Sequence, residues 1–116
     1  MVYNNNRVSI EESMKCNIDF PEDFEVNPSN TFAYNNRGAA HVKLGLYNKA
    51  VADFTEAIEL KPSCALLYNN RGAVQAELGK YNEAIADYTK AIELKPKFDL
   101  AINNQKKLKD KINFGK

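Results

Sequence analysis

The sequence has one histidine, two cysteines and no tryptophan in 116 residues, and it has no long uninterrupted apolar run. Without a run of about eighteen apolar residues, we expect no membrane span. Cys16 and Cys64 are too few for a disulfide framework, so we expect free thiols and a cytoplasmic location. No metal-ligand spacing, glycine-rich phosphate loop or nucleophile elbow is present. We therefore expect no metal, no cofactor and no enzymatic activity.

The balance of charge changes along the chain. Residues 1–30 carry 2 basic and 6 acidic groups, residues 31–94 carry 7 of each, and residues 95–116 carry 7 basic and 2 acidic groups. A basic end can attract nucleic acid or an acidic membrane, but lysines on the outer face of a terminal helix are more often only solvated. We expect neither nucleic acid nor a membrane as a partner.

An internal repeat with a period of 34 residues dominates the sequence. Residues 31–64 align with residues 65–98, and 20 of the 34 positions are identical. The shared segments include YNNRGA, which begins at Tyr34 and Tyr68, and AIELKP, which ends at Pro62 and Pro96. Chance does not produce this agreement, so we predict two copies of one structural unit.

Each unit has the hydrophobic pattern of two helices. In the second unit apolar residues recur at spacings of three and four up to Gly79, which signals a helix end, and again from Ala84 until Pro96. A single helix hairpin cannot bury both apolar stripes, so the units must stack on one another. The sequence therefore predicts an all-α fold, a solenoid of helix hairpins.

The repeat resembles the tetratricopeptide pattern W-x2-L-G-x2-Y, A-x3-F, P. The matching residues are Tyr34, Gly38, Ala50, Phe54 and Pro62, and then Tyr68, Gly72, Ala84, Tyr88 and Pro96. Tyrosine replaces the tryptophan, arginine (Arg37, Arg71) replaces the leucine, and His41 and Gln75 replace the second tyrosine. The resemblance implies a right-handed α-solenoid that binds other proteins.

The two ends flank the full units. Residues 1–30 match residues 35–64 at 8 of 30 positions, which indicates a degenerate N-terminal repeat. Within them, Ser9 and Glu12 form a capping box, and Pro21 ends the helix that it begins. Residues 99–116 form an amphipathic pattern with apolar residues on one face and lysines on the other, as a C-terminal capping helix requires.

In tetratricopeptide proteins the first helices of successive units line a concave groove that holds a peptide. The resemblance implies that this groove is lined by Phe32, Asn35, Asn36, Ala39, Val42 and Lys43, by Leu66, Asn69, Asn70, Ala73, Ala76 and Glu77, and by Leu100, Asn103, Asn104 and Lys107. Its repeated feature is a row of paired asparagines. Asparagine amides can hydrogen-bond a peptide backbone, or they can simply tolerate a solvated helix face.

Some small tetratricopeptide modules grip the C-terminal carboxylate of chaperones with two lysines, two asparagines and an arginine. The corresponding residues here are Asn35, Ala39, Asn70, Leu100 and Asn104, and only Asn70 agrees. We expect no such clamp, because the cationic groups are missing.

Arginine and aspartate recur with the same period and suggest an ion pair. Pairing within a unit joins Arg37 to Asp53, whereas pairing across units joins Arg37 to Asp19 and Arg71 to Asp53. Pairing across units uses every member of the series, so we favour it as a source of cohesion between repeats.

We expect a non-catalytic module that binds a peptide or helix segment of a partner protein. The alternative is a structural module that assembles head to tail, because the acidic start and basic end of two copies attract each other. The chain would then be a monomer or a weak homo-oligomer.

Overall fold

The computed structural model describes residues 31–114, in which five α-helices follow one another and no strand occurs. The helices are α1 (Thr31–Lys43), α2 (Tyr47–Leu60), α3 (Ala65–Glu77), α4 (Tyr81–Leu94) and α5 (Asp99–Phe114). The all-α prediction is confirmed. The degenerate repeat predicted for residues 1–30 lies outside the described residues.

A glycine turn joins the two helices of each unit. Gly45 and Gly79 have φ angles of 76° and 78°, which only glycine adopts without strain. In the first turn Leu46 N donates to His41 O at 2.8 Å, and in the second Lys80 N donates to Gln75 O at 2.9 Å. These bonds satisfy carbonyls at the helix ends and fold each second helix back on the first.

The two helices of each hairpin approach closely at a glycine. A Cβ atom on Gly38 would lie 2.8 Å from Phe54 Cε1, and one on Gly72 would lie 2.9 Å from Tyr88 Cε1. Both rings are buried. The identical placement in both units explains why each retains a glycine in the middle of a helix, where glycine otherwise lowers stability.

Successive hairpins stack through apolar contacts. Phe54 of α2 packs with Val74 of α3, and Tyr88 of α4 packs with Leu108 of α5. A third cluster contains small residues such as Ala57 and Ala91, which are fully buried. In addition, the Tyr68 hydroxyl donates to Pro62 O at 2.9 Å across the turn between units. The core therefore runs through the stack from α2 to α5.

The helix α5 covers the last hairpin. Ala101 and Leu108 are buried against the hairpin, whereas Lys106, Lys107 and Lys109 are exposed. This helix is packed mainly on α4. Its apolar face points into the stack, as the amphipathic pattern predicts.

The expectation of a free thiol is wrong for Cys64. This residue lies between α2 and α3, is fully buried and is disulfide-bonded. The number and spacing of cysteines along the sequence do not show what lies near a buried cysteine in the folded chain. Cys16 lies outside the described residues.

Candidate peptide-binding groove

The first helices of the units, α1, α3 and α5, lie side by side and are joined by asparagine side chains. Asn70 Nδ2 donates to Asn35 Oδ1 at 2.9 Å, which links α3 to α1. One period later Asn104 Nδ2 donates to Asn69 Oδ1 at 3.0 Å, which links α5 to α3. We call the surface of these three helices that carries the predicted ligand-contact residues the candidate groove.

The asparagines of the candidate groove differ in their exposure. Asn69 is only 3% exposed, and the other three bonded asparagines are half-buried. Asn36 and Asn103 are exposed and make no side-chain hydrogen bond to any residue between 31 and 114. The amides thus divide into two bonded pairs, which hold neighbouring helices together, and two outer amides that are exposed.

The remaining predicted groove residues contribute apolar, small and charged side chains. Leu66, Ala73, Val42 and Ala76 are half-buried, and the exposed ones are Ala39, Lys43, Glu77, Leu100 and Lys107. Leu100 is 50% exposed. Phe32 lies in the first turn of α1, and its side chain is not described. Lysine and glutamate are mixed across this surface, so its charged groups are not of one sign.

The arginine and aspartate pairs form within each unit, and the favoured prediction of pairing across units is wrong. Arg37 Nη2 lies 2.7 Å from Asp53 Oδ1, and Arg71 binds both oxygens of Asp87 at 2.8 and 2.9 Å. The two helices of a hairpin approach closely at the glycine that follows each arginine, and each arginine therefore reaches the aspartate of its own unit.

The carboxylate of Asp53 has a second partner. His41 Nδ1 lies 2.7 Å from Asp53 Oδ2, opposite the oxygen that Arg37 binds. Burial raises the pKa of Asp53, but the hydrogen bonds from Arg37 and His41 outweigh it, and the pKa is lowered below its ordinary value. The carboxylate is therefore a buried anion satisfied on both oxygens, and the single histidine supports packing in the first unit.

Arg71 and Gln105, which occupy equivalent positions, also contact the preceding unit, but they reach its threonine rather than its aspartate. Arg71 Nη1 donates to Thr55 Oγ1 at 3.2 Å, and Gln105 Nε2 donates to Thr89 Oγ1 at 2.8 Å. Sequence reasoning missed these contacts. The sequence does contain an indication of these contacts, because the two threonines are also one period apart.

Within residues 31–114 no three His, Cys, Asp or Glu side chains come together as metal ligands would. No helix in this part of the chain has the length and hydrophobicity of a membrane span.

Comparison with known proteins identifies the repeat. A family model described as tetratricopeptide repeat matches residues 31–64 and 65–98. No curated protein matches the chain. Among solved structures, the second TPR domain of human RPAP3, in complex with the HSP70 peptide SGPTIEEVD, is 30% identical, with a TM-score of 0.68. That match covers 77% of this chain and 74% of the other.

Two further structures are similar. The first TPR of Spaghetti (RPAP3), bound to the HSP90 peptide SRMEEVD, is 29% identical, covers 80% of this chain and 74% of that one, and has a TM-score of 0.71. The Arabidopsis OM64 TPR domain is 28% identical, covers 93% and 85%, and has a TM-score of 0.68. These matches confirm the predicted solenoid of stacked helix hairpins.

Proposed function

Because the chain belongs to the tetratricopeptide-repeat family, we propose that it is a non-catalytic interaction module whose candidate groove binds a peptide or helix segment of a partner protein. The observation that carries this proposal is the similarity to two RPAP3 domains that hold short peptides, each aligned over more than three quarters of this chain. The chain shares their fold, and its first helices present free polar and apolar groups on one surface.

The side chains of the candidate groove indicate what kind of peptide it accepts. The outer amides of Asn36 and Asn103 can donate to and accept from a peptide backbone. Leu66 and Leu100 add partly exposed apolar side chains to the candidate groove, and Ala73 adds only a methyl group. Because the groove has no strong field of one sign, we propose a ligand that is close to neutral and bears apolar side chains.

The proposed ligand differs from the acidic peptides that the RPAP3 domains hold. The five residues at the clamp positions are Asn35, Ala39, Asn70, Leu100 and Asn104, so none of them carries a positive charge. Moreover, Asn70 and Asn104 donate to asparagines of the neighbouring helix. Without cations at these five positions, the desolvation of a terminal carboxylate there has no compensation. We therefore propose that this chain does not bind peptides through a carboxylate clamp.

The test begins by selecting peptides from a displayed random library with the full chain and measuring their affinity by calorimetry. The double variant Asn36→Ala/Asn103→Ala removes only the outer amides and leaves both bonded pairs intact. The matched control is Asn48→Ala/Asn82→Ala, which removes two exposed asparagines from the first turns of α2 and α4. A synthetic SRMEEVD peptide tests for the clamp.

We expect the groove variant to bind selected peptides at least about fivefold more weakly, because each lost hydrogen bond costs about 0.5–1.5 kcal/mol. The control should bind as the parent does. A library that yields no binder, or equal affinities for the two variants, would refute the proposed use of this surface. Tight binding of SRMEEVD that salt weakens would refute the absence of a clamp.

A further inference from the structure

The candidate groove presents the same two kinds of group on α3 and on α5. Leu66 and Leu100 lie near the starts of these helices, one period apart. Three and four residues after each leucine comes a pair of asparagines. Residues at these spacings lie on the same face of a helix, so each leucine stands one turn from the asparagine row. A ligand that crosses the helices therefore meets an apolar side chain beside an amide on α3 and again on α5.

The hydrogen bonds between asparagines limit the distance from one first helix to the next. Asn70 Nδ2 lies 2.9 Å from Asn35 Oδ1, and Asn104 Nδ2 lies 3.0 Å from Asn69 Oδ1. An asparagine amide reaches only about 3.7 Å from its own Cα atom, so the Cα atoms of a bonded pair are at most about 10 Å apart. Packed helices are ordinarily about 8–10 Å apart. The candidate groove therefore repeats about every 8–10 Å.

The outer amides favour an extended ligand over a helical one. Asn36 lies on α1 and Asn103 on α5, two repeats apart, so a ligand that contacts both spans roughly 16–20 Å. Inside an α-helix the backbone N–H and C=O groups bond to one another, and only the first and last turns keep free groups. An extended segment instead offers free backbone groups along its whole length. It can therefore bind both amides in any position along the candidate groove.

The repeat of the candidate groove distinguishes between two extended conformations. In a β-strand the side chains on one face recur every second residue, which is about 6.7 Å. In a polyproline II helix they recur every third residue, which is about 9.3 Å. Only the second distance agrees with the spacing of the first helices. Residues i and i+3 of a polyproline II segment can therefore contact Leu66 and Leu100 at the same time.

We propose that the candidate groove binds a polyproline II segment of a partner protein with an apolar side chain at every third residue, an inference that rests on the proposed function. Two of these side chains contact Leu66, which is half-buried, and Leu100, which is 50% exposed. Asn36 and Asn103 donate to backbone carbonyls about six residues apart. A polyproline II backbone has no internal hydrogen bonds, so these carbonyls accept without the loss of any bond within the ligand.

Two synthetic peptides of identical composition test the spacing by calorimetry with the full chain. In acetyl-PPLPPLPPLPP-amide the leucines recur at every third residue, and in acetyl-PLPLPLPPPPP-amide they recur at every second residue. Proline fixes the backbone of both peptides, and the blocked termini carry no charge. We expect the first peptide to bind at least about tenfold more tightly, because the second cannot place two leucines on Leu66 and Leu100 together.

A matched pair of leucine variants locates the contact. Leu100→Ala should weaken binding of the first peptide about tenfold, because it removes one of the two apolar contacts. The control is Leu60→Ala, which removes a leucine of similar exposure, 45%, from the last turn of α2 outside the candidate groove. This variant should bind as the parent does. Equal weakening by the two substitutions would overturn the assignment of Leu100 to the ligand.

Peptides selected from the displayed random library separate this inference from the proposed function. We expect selected peptides to carry apolar residues three positions apart and to keep their affinity when the intervening residues are replaced by proline. Proline interrupts a helix and removes a donor from a strand, so loss of binding would identify one of those conformations. Binders without this spacing, or equal affinities of the two synthetic peptides, would overturn the polyproline II ligand and leave the proposed function standing. A library without any binder would overturn both.

Discussion

The substitution Gly72→Ala sets helix propensity against packing, and the two effects predict opposite signs. Alanine is favoured over glycine in a helix interior by up to about 1 kcal/mol. However, the new Cβ atom would lie 2.9 Å from Tyr88 Cε1 and 3.2 Å from the carbonyl oxygen of Ala84. The ring is 3% exposed and the carbonyl belongs to the backbone of α4, so neither moves freely. Overpacking of this kind costs about 1–3 kcal/mol.

We expect packing to prevail, with a net loss of about 1–2 kcal/mol and a fall in melting temperature of roughly 5–15 °C. Gly72→Leu should be far more damaging, because a whole side chain must then fit between α3 and α4. Urea unfolding followed by circular dichroism measures both changes. Lys80→Ala, in the turn between the same helices, is the control and should stay within about 0.5 kcal/mol of the parent. A gain in stability for Gly72→Ala would show that propensity decides and that the hairpin contact is loose.

Three further outcomes follow from the contacts described. Asp53→Asn should lose less stability between pH 6 and pH 3 than the parent does, as measured by the midpoint of urea unfolding. A carboxyl whose folded pKa is lowered stabilises the fold above its unfolded pKa, and this contribution is lost as the pH falls through the folded pKa. Equal losses in both proteins would refute this. Deletion of residues 99–116 should expose the last hairpin and cause aggregation in light scattering, whereas an unchanged monomer would show that α5 is dispensable. Asn104→Ala should cost about 1 kcal/mol in thermal unfolding, because it deprives the buried Asn69 of its donor, while Asn103→Ala should cost nothing.

The sequence was sufficient for the fold because the repeat shows each constraint twice. Gly45 and Gly79 mark the same turn, and both have the positive φ that this turn requires. Gly38 and Gly72 mark the same close approach. A coincidence at one position is weak evidence, but the same residue 34 positions later in an equivalent environment separates a structural requirement from chance.

The candidate site was less predictable, because periodicity identifies equivalent residues but not their partners. The residues in the asparagine row are spaced identically, yet Asn69 is buried and Asn103 is exposed. The difference depends on which helices flank each residue, and this changes along a stack with ends. In the same way, the spacing of Arg71 and Asp53 could not reveal that Asp87 is the nearer acid. Distances between hairpins depend on side-chain packing, and the spacing of residues along the sequence does not contain this information.

The hydrogen bonds between asparagines explain why asparagine, which has a mediocre helix propensity, recurs in three helices. If all six amides served only a ligand, the row would reduce stability without any local gain. The structure instead joins α1 to α3 and α3 to α5 through Asn35 with Asn70 and Asn69 with Asn104. Each unit must then carry two asparagines, one that accepts from the next unit and one that donates to the previous unit. At the two ends of the row one member of each pair has no neighbour among residues 31–114, so Asn36 and Asn103 are left exposed. The amides we propose for ligand contact are therefore the ends of a structural row, which is why the ligand test spares the four that hold the helices together.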